Sequence, residues 1–361
     1  MKELFEKRIN SLRGFLSDST EAVLLTNEVN IGYFCGFFHS EGYLYISQNS
    51  AVLLVDFRYF ESAQKKAYCD TVCFSVLSDA LAELLNKEEI QNLRFESSCI
   101  TVERYNFFNR KLKEYNIGTV CDGKLDTHIS SIRIIKSAGE LEKIQTAQKI
   151  AEKAYLDMLN ILKPGVKERE LAAYLEYKMK QNGAEDISFD LITIAGKKTS
   201  LPHGVPSDNT VQEGSFFTCD FGAVYEGYHS DTTRTVAVGF ACDEMKEIYG
   251  IVLKAQLSAL EKIKPGEKCS EVDKTARDII SRAGYGEFFG HSTGHGVGLD
   301  IHELPYVSAR STAVLEPGMV ITDEPGIYLP DKFGVRIEDM LSVTKDGYYN
   351  FVSLDKELIV I

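Results

Sequence analysis

Two segments in the second half of the chain repeat each other, and this repeat restricts the fold more than any other sequence feature. ILKPGVKERELAAYLEYKMKQNGA at 161–184 aligns without a gap with KIKPGEKCSEVDKTARDIISRAGY at 262–285. Each copy follows a helical stretch and precedes a strand-rich one, so we infer a duplicated α/β half-domain rather than a chance match. A duplicated half of this kind usually leaves a site between its copies. The identical positions are Lys163/Lys264, Pro164/Pro265, Gly165/Gly266, Lys167/Lys268, Glu170/Glu271 and Gly183/Gly284.

The first third of the chain predicts a separate, smaller domain. Residues 1–122 alternate strand-like runs such as AVLLVDF with helical runs such as SDALAELLNKEEI, which is typical of a small α/β domain. A long helical pattern then begins at Gly139. We therefore expect an α/β (or α+β) protein with an N-terminal domain at 1–122, a linker at 123–138 and a C-terminal domain at 139–361.

Composition excludes several classes of partner. The chain has 361 residues, a formal net charge of −13 and no basic run, which argues against nucleic acid or an anionic membrane as partner. Its start lacks the apolar core of a signal peptide, and no segment is apolar for long enough to cross a bilayer, so a cytoplasmic location is expected. The eight scattered cysteines predict reduced, mostly buried thiols.

A first pair of carboxylates is predicted on one hairpin. FFTCDFGAVYEGYHSDTTRTVAV at 216–238 reads as two strands around a turn near Tyr225-Glu226, which would place Asp220 directly opposite Asp231. Opposed residues on one face have Cβ atoms about 5 Å apart, and two like charges there are destabilising without a cation. Two solvated surface aspartates are the alternative, but the apolar neighbours of the pair disfavour it.

A second acidic pair lies in VITDEPGIYLPDKFGVRIEDML at 320–341. Glu324 and Glu338 each sit inside an apolar run, where an unpaired carboxylate is costly. Arg336 is two residues from Glu338, on the same face of a strand, so a salt bridge alone could explain Glu338. Two acidic pairs in one half of the chain favour a shared cation instead.

Histidines complete a set of metal-ligating residue types. HSTGHGVGLDIHELP at 291–305 carries three histidines among glycines. Two Asp, two Glu and one His suffice for two divalent ions bridged by carboxylates, and ions about 3.5–4 Å apart can share a water and lower its pKa. Oxygen-rich ligation with one imidazole and no thiolate favours Mn²⁺, with Co²⁺ or Zn²⁺ as alternatives.

These motifs in this order resemble a known family. The sequence is similar to the metallopeptidases with the pita-bread fold, in the branch of Xaa-Pro aminopeptidases and Xaa-Pro dipeptidases (prolidases), and residues 1–122 are similar to the creatinase/prolidase N-terminal domain. The resemblance covers essentially the whole chain. The motifs that carry it are PHG (202–204), DFGAVYEGYHSDTTRT (220–235), GHSTGHGVGLDIHELP (290–305), EPGIY (324–328) and VRIEDM (335–340).

The resemblance assigns a role to each candidate residue. The implied ligands of two divalent metal ions are Asp220, Asp231, His295, Glu324 and Glu338, with Asp231 and Glu338 bridging. His302 is implied to contact the substrate near the scissile bond, and His203 to hold the substrate and the tetrahedral intermediate. His291 is implied to line the pocket, and with Arg336 it is expected to bind substrate or to support the ligands.

The implied activity is hydrolysis of the bond between an N-terminal residue and proline. A metal-bridging hydroxide would attack the carbonyl while Glu324 handles the proton. The substrate is a proline-containing peptide or dipeptide, and the choice between these stays open. A homodimer is also implied, in which the aromatic stretch GYFCGFFHSEGYLY at 32–45 would be a contact surface and the loop around His39 would approach the other subunit's site.

Other functions fit the sequence less well. Creatinase-like chemistry uses this fold without metals and needs the carboxylate ligands replaced, whereas all are present here. Methionine aminopeptidases share the five ligands but usually lack the N-terminal domain. A related aminopeptidase of different specificity is a further alternative. A catalytically silent binding or chaperone module would be expected to have lost ligands.

Overall fold

The computed structural model describes residues 2–38 and 41–361, which divide into two compact units. The first unit ends at Arg133 and the second begins at Ile134. This division lies inside the segment 123–138 where the sequence places a linker, and part of that segment is a helix, Lys124–Arg133. Within the described ranges, no helix is both long enough and apolar enough to span a membrane.

The first unit is built on one sheet with helices around it. Its helices are α1 (Lys2–Phe15), α2 (Glu28–Cys35), α3 (Phe57–Lys66), α4 (Leu77–Lys87), α5 (Val102–Lys113) and α6 (Lys124–Arg133). Its strands are β1 (Glu21–Leu25), β2 (Tyr43–Ile46), β3 (Ala51–Val55), β4 (Asp70–Cys73), β5 (Asn92–Phe95) and β6 (Gly118–Val120). The strand order is β4-β3-β2-β1-β5-β6, with β2 antiparallel to both of its neighbours. The central strands β1 and β2 are buried along their whole length, as expected for a sheet covered on both faces.

The aromatic stretch at 32–45 does not form the exposed contact surface that the sequence suggested. Most of its described aromatic side chains are buried inside the first unit, because α2 packs against the sheet and β2 lies in its centre. His39, whose loop was expected to approach another subunit, lies outside the described residues. The buried side chains are Tyr33, Phe34, Phe37, Tyr43 and Tyr45.

The second unit contains two helix pairs and several small sheets. Its helices are α7 (Ala138–Leu159), α8 (Glu168–Gln181), α9 (Asp243–Leu260) and α10 (Cys269–Arg282). Its strands are β7 (Asp186–Ile187), β8 (Ile192–Ala195), β9 (Ser215–Phe221), β10 (Ala223–Tyr225), β11 (Tyr228–His229), β12 (Thr232–Val238), β13 (Gly294–Gly296), β14 (Glu303–Val307), β15 (Val320–Asp323), β16 (Gly326–Leu329), β17 (Phe333–Arg336), β18 (Asp339–Val343) and β19 (Tyr348–Asn350). The strand orders are β11-β10-β7, β12-β9-β8, β14-β13-β15-β18-β19 and β16-β17.

The second unit has the duplicated architecture that the sequence repeat predicts. Helices α8 and α10 begin and end at equivalent positions of the two copies and have 14 residues each. Before each helix the Lys-Pro-Gly turn places its glycine at positive φ, +91° at Gly165 and +85° at Gly266, a conformation that glycine adopts without strain. One core cluster joins α7 and α8 to β9, and another joins α9 and α10 to β15 and β18. The predicted α/β fold with a repeated half is confirmed.

Candidate metal centre

The first acidic pair lies at one end of β9 and β12, but not in the predicted register. Asp220 pairs with Thr233 rather than with Asp231. The turn lies one residue later than expected, at Glu226-Gly227, where φ is +47° and +78°. Positive φ at both central residues is typical of the tight hairpin turn, and glycine favours the second position. Asp231 therefore lies just outside the ladder, in the irregular step between β11 and β12.

The second acidic pair lies where the chain passes between two sheets. Glu324 follows β15 and Glu338 precedes β18, on either side of the hairpin β16–β17. The alternative explanation of Glu338, a salt bridge to Arg336, does not describe the structure. The Arg336 guanidinium contacts the Asp220 carboxylate at 2.6 Å, because the Thr233 hydroxyl lies between Arg336 and Glu338. Arg336 Nε donates to Thr233 Oγ1 at 3.0 Å, and that hydroxyl donates to Glu338 Oε2 at 2.7 Å.

Glycines around His295 allow three strands to approach one another closely. His295 is the central residue of β13, which pairs with both β14 and β15. A Cβ at Gly294 would lie 2.1 Å from the Thr322 carbonyl oxygen, and one at Gly296 would lie 2.3 Å from the Leu304 carbonyl oxygen. Side chains at these positions would therefore force the strands apart. The glycines fix the backbone position from which the imidazole reaches the carboxylates.

His295 presents one ring nitrogen to the acidic residues. Its Nδ1 is hydrogen-bonded to the Gly296 carbonyl oxygen at 3.0 Å. Its Nε2 lies 3.5 Å from Asp231 Oδ2 and 3.6 Å from Glu324 Oε1. Burial lowers the pKa of His295 to about 4, so the ring is neutral at neutral pH. A neutral imidazole with Nδ1–H satisfied by a carbonyl leaves Nε2 free to bind a metal.

The buried carboxylates around His295 need a cation to balance their negative charge. Burial and the neighbouring carboxylates raise the pKa of Asp231 and of Glu338 well above the usual range. Burial raises the pKa of Glu324 to about 7. Asp220 Oδ1 is buried and has no hydrogen-bond partner among the described residues. Ligand atoms of Asp231, His295 and Glu338 all lie within 4.8 Å of one another, a spacing that one ion can bridge.

One cavity of about 460 Å³ is lined by all the predicted ligand, catalytic and substrate-binding residues. The half-domain that contains residues 161–184 supplies Asp220 and Asp231, and the half-domain that contains residues 262–285 supplies His295, Glu324 and Glu338. The remaining predicted residues on the wall are His203, His291, His302 and Arg336. The sequence did not single out the other side chains of the wall, although the positions of Ile301 and Tyr306 beside His302 could have indicated them. These side chains are Phe189, Asp190, Ile192, Pro202, Ser292, Ile301 and Tyr306.

The Tyr328 hydroxyl connects His291 to Arg336, which contacts Asp220. The sequence did not indicate a role for Tyr328. His291 Nδ1 is hydrogen-bonded to the Ser292 carbonyl oxygen at 2.8 Å, so the Tyr328 hydroxyl donates to Nε2 at 2.9 Å. Arg336 Nη1 donates to the same hydroxyl oxygen at 2.9 Å. His291 is therefore held as a neutral ring in a fixed orientation, and burial lowers its pKa to about 4. His302 packs against His295, with ring centroids 4.4 Å apart.

A buried carboxylate on each repeated helix holds a segment of the site. On α10, Asp273 Oδ1 accepts from the Thr293 hydroxyl at 2.8 Å, and Arg277, bound to Asp273, donates to the His291 carbonyl oxygen at 2.8 Å. On α8, Glu168 holds the segment that contains His203. The groups that donate to the Glu168 carboxylate are Ala195 N, Asn209 Nδ2, Lys198 Nζ, Ser207 N and Ser207 Oγ, at 2.9, 2.8, 2.8, 3.0 and 2.9 Å.

We expect Glu168→Gln to lower the free energy of unfolding by about 1.5–3 kcal/mol at pH 7, because several donors lose a charged acceptor. Burial raises the pKa of Glu168, but the hydrogen bonds from Lys198 and Asn209 outweigh it, so the pKa is lowered in the fold. The contribution is therefore complete above the ordinary value of 4.5 and is lost as the pH falls through the lowered pKa.

Urea unfolding followed by circular dichroism between pH 7 and about pH 3, which extends below the ordinary value of 4.5, measures this difference. Glu176→Gln is the matched control, because Glu176 lies on the same helix and makes one solvent-exposed contact with Lys180 at 2.9 Å. The control should lower the free energy of unfolding by no more than about 0.5 kcal/mol. A Glu168→Gln effect equal to the control, or one that grows as the pH falls, would contradict the assigned role.

Two protein-family models match the chain. Residues 142–345 match the model of metallopeptidase family M24, and residues 8–134 match that of the creatinase/prolidase N-terminal domain. An Xaa-Pro dipeptidase of Pyrococcus horikoshii is 41% identical over 359 residues, which cover 99% of this chain and 100% of that protein.

Solved structures show the same similarity. An Xaa-Pro dipeptidase from Bacillus anthracis superposes with a TM-score of 0.94 at 40% identity, covering 99% of this chain and 100% of that one. An X-Pro aminopeptidase from Thermotoga maritima superposes with a TM-score of 0.91 at 35% identity, covering 98% and 100%. Proteins named for dipeptide and for aminopeptidase activity thus resemble this chain to a similar degree.

Proposed function

Since the chain belongs to metallopeptidase family M24, we propose that it is a metal-dependent peptidase that hydrolyses the bond between an N-terminal residue and proline. The observation that carries this function is the convergence of Asp231, His295 and Glu338 within 4.8 Å in a cavity with Asp220 and Glu324. Relatives named Xaa-Pro dipeptidase and X-Pro aminopeptidase support the substrate class.

The donor set fits divalent metal ions, which membership of the family implies. Asp220, Asp231, His295, Glu324 and Glu338 would hold two ions, and the four carboxylates would balance their charge. Oxygen-rich ligation with one imidazole favours Mn²⁺, with Co²⁺ or Zn²⁺ as alternatives. When bound, such ions activate water and polarise the scissile carbonyl.

The side chains around the donors would move protons and orient the peptide. Glu324, whose pKa burial raises to about 7, can accept a proton from water and return it to the departing nitrogen. His302, which packs against His295, would lie near the proline nitrogen. His203, which lines the same cavity, would hydrogen-bond the developing oxyanion. His291 would line the peptide path in the orientation that Tyr328 fixes.

Peptide hydrolysis with and without proline tests the function. With Mn²⁺ added, we expect cleavage of Ala-Pro, of Ala-Pro-Ala or of both, and background rates for Ala-Ala and Ala-Ala-Ala. Comparison of the two proline substrates assigns dipeptidase or aminopeptidase preference. Glu324→Gln is the inactive control for contaminating peptidases. Equal rates for the proline and alanine peptides would refute the proposed specificity.

The cellular location and the oligomeric state of the protein are also part of the proposed function. A cytoplasmic location stays a prediction. The homodimer stays a prediction from the family resemblance, without the aromatic contact surface first suggested for it.

A further inference from the structure

Two cysteines of the first unit lie side by side on neighbouring segments. Cys35 is the last residue of α2, and Cys69 immediately precedes β4. The Tyr68 amide donates to the Cys35 carbonyl oxygen at 2.8 Å, and a Cβ at Gly36 would lie 2.6 Å from the Tyr68 ring. This hydrogen bond joins Cys35 to the residue directly before Cys69, so the two cysteines lie on adjoining backbone segments. Each of the two thiols has the largest effect on the pKa of the other, so the side chains of Cys35 and Cys69 are neighbours.

The two thiols differ in their access to solvent. Cys35 is fully buried, whereas Cys69 is partly exposed and lines an open cavity of about 350 Å³. Arg13 and Asp70 lie on the wall of the same cavity. A small reagent that enters this cavity therefore meets Cys69 first and finds Cys35 behind it.

The two thiols also differ in acidity. The neighbouring Cys35 thiol lowers the pKa of Cys69, although burial opposes this change. The Cys69 thiol, together with burial, raises the pKa of Cys35. Because the thiolate is the nucleophile, Cys69 is the thiol that reacts first, and Cys35 keeps its proton until a second step.

We propose that Cys35 and Cys69 form a reversible oxidation site, at which a hydroperoxide converts the two neighbouring thiols into a disulfide. The Cys69 thiolate attacks one peroxide oxygen, the O–O bond breaks, and the thiolate becomes a sulfenic acid as hydroxide leaves. The Cys35 sulfur then attacks the Cys69 sulfur, an S–S bond forms, and the departing hydroxide takes the Cys35 proton as water. With hydrogen peroxide, two thiols and one peroxide thus give one disulfide and two waters, and a dithiol reverses the change.

The disulfide would tie the end of α2 to the start of β4. These segments already touch through Cys35 and Tyr68, so the bond needs little movement of the backbone. A covalent link between segments far apart in sequence restricts the unfolded chain. The oxidised protein is therefore expected to melt at a higher temperature than the reduced protein.

Peptide mapping of the full-length protein tests this site. Reduced, metal-loaded protein is treated with a small excess of hydrogen peroxide, its free thiols are blocked, and the digest is analysed by mass spectrometry without reduction. We expect a linked pair of peptides, one carrying Cys35 and one carrying Cys69, that is 2 Da lighter than their sum and disappears with dithiothreitol. The link should form before the exposed Cys73 and Cys99 are oxidised.

Single substitutions assign the link to these sulfurs. Cys73→Ser is the matched control, because Cys73 lies four residues from Cys69 and should leave the link unchanged. Cys69→Ser should abolish the link, and Cys35→Ser should leave a sulfenic acid at Cys69 that dimedone traps. Oxidation of Cys73 or Cys99 ahead of Cys69, or no link in the wild-type protein, would overturn the proposal. The wild-type result does not depend on the folding of any variant.

Discussion

Asp231→Asn should lose both its metal and its turnover. Its kcat/KM should fall by well over roughly 100-fold, because the loss of a residue that only supports a metal ligand already costs up to that factor. Asp231 lies 3.5 Å from His295 Nε2 and within 4.8 Å of a Glu338 oxygen, so it belongs to the group that one ion can bridge. The amide keeps the shape of the side chain but removes the charge that balances a divalent ion. Metal content by plasma emission spectrometry and kcat/KM with a proline peptide are measured on the same preparation.

His302→Ala is the control that distinguishes the loss of a metal ligand from the loss of a residue that contacts the substrate. His302 packs on the His295 ring but is not among the ligand atoms that cluster within 4.8 Å. We expect this variant to keep its metal and to lose mainly turnover. If His302→Ala were as depleted in metal as Asp231→Asn, the division between ligands and substrate-contacting histidines would be wrong.

Removal of the metal with a chelator is expected to reduce peptide hydrolysis to background, and Mn²⁺ or Co²⁺ should restore it. The proposed hydrolysis requires an activated water at neutral pH, and the side chains alone supply no Lewis acid for the carbonyl. Activity is measured after dialysis against chelator, with metal content checked in parallel. Full activity in a demonstrably metal-free preparation would falsify the mechanism.

Metal removal should also make stability depend on pH. Burial raises the pKa of Asp231 and Glu338, and that of Glu324 to about 7, so the metal-free fold holds protons that the unfolded chain releases. The stability that these protons give is complete below the ordinary carboxyl pKa of about 4 and is lost as the pH rises through the raised values. The difference in Tm between Mn²⁺-loaded and metal-free protein should therefore widen from pH 5 to pH 8. A difference that stays constant would contradict the stated balance of charge.

The repeat and the ligand motifs could be predicted because they depend on local chemistry. The matching Lys-Pro-Gly turns before α8 and α10 require glycine at positive φ, and this requirement is visible in the sequence. The clustered histidines and the paired carboxylates are residue types with few uses inside apolar strands. Their meeting in one cavity follows from the repeat, which brings the ends of β9 and β15 together.

The register and the partners of charged residues could not be predicted from spacing alone. A turn shifted by one residue moved Asp220 opposite Thr233, because both Glu226 and Gly227 adopt positive φ. Arg336 pairs with Asp220, which is 116 residues away in the sequence, and local spacing does not indicate so distant a partner. The burial of the aromatic stretch at 32–45 likewise depends on packing between α2 and the sheet.

The division of the proposed ligands between the two half-domains has a consequence for the order of events during synthesis. When the half-domain that contains residues 161–184 leaves the ribosome, Asp220 and Asp231 are present, but His295, Glu324 and Glu338 have not yet been translated. The early half therefore holds Asp220 and Asp231 without the other three proposed ligands, a donor set too small to retain an ion against water. We therefore expect metal capture to follow the docking of the second half-domain, so that a chain truncated before residue 338 would mature without metal, however well its first half folds.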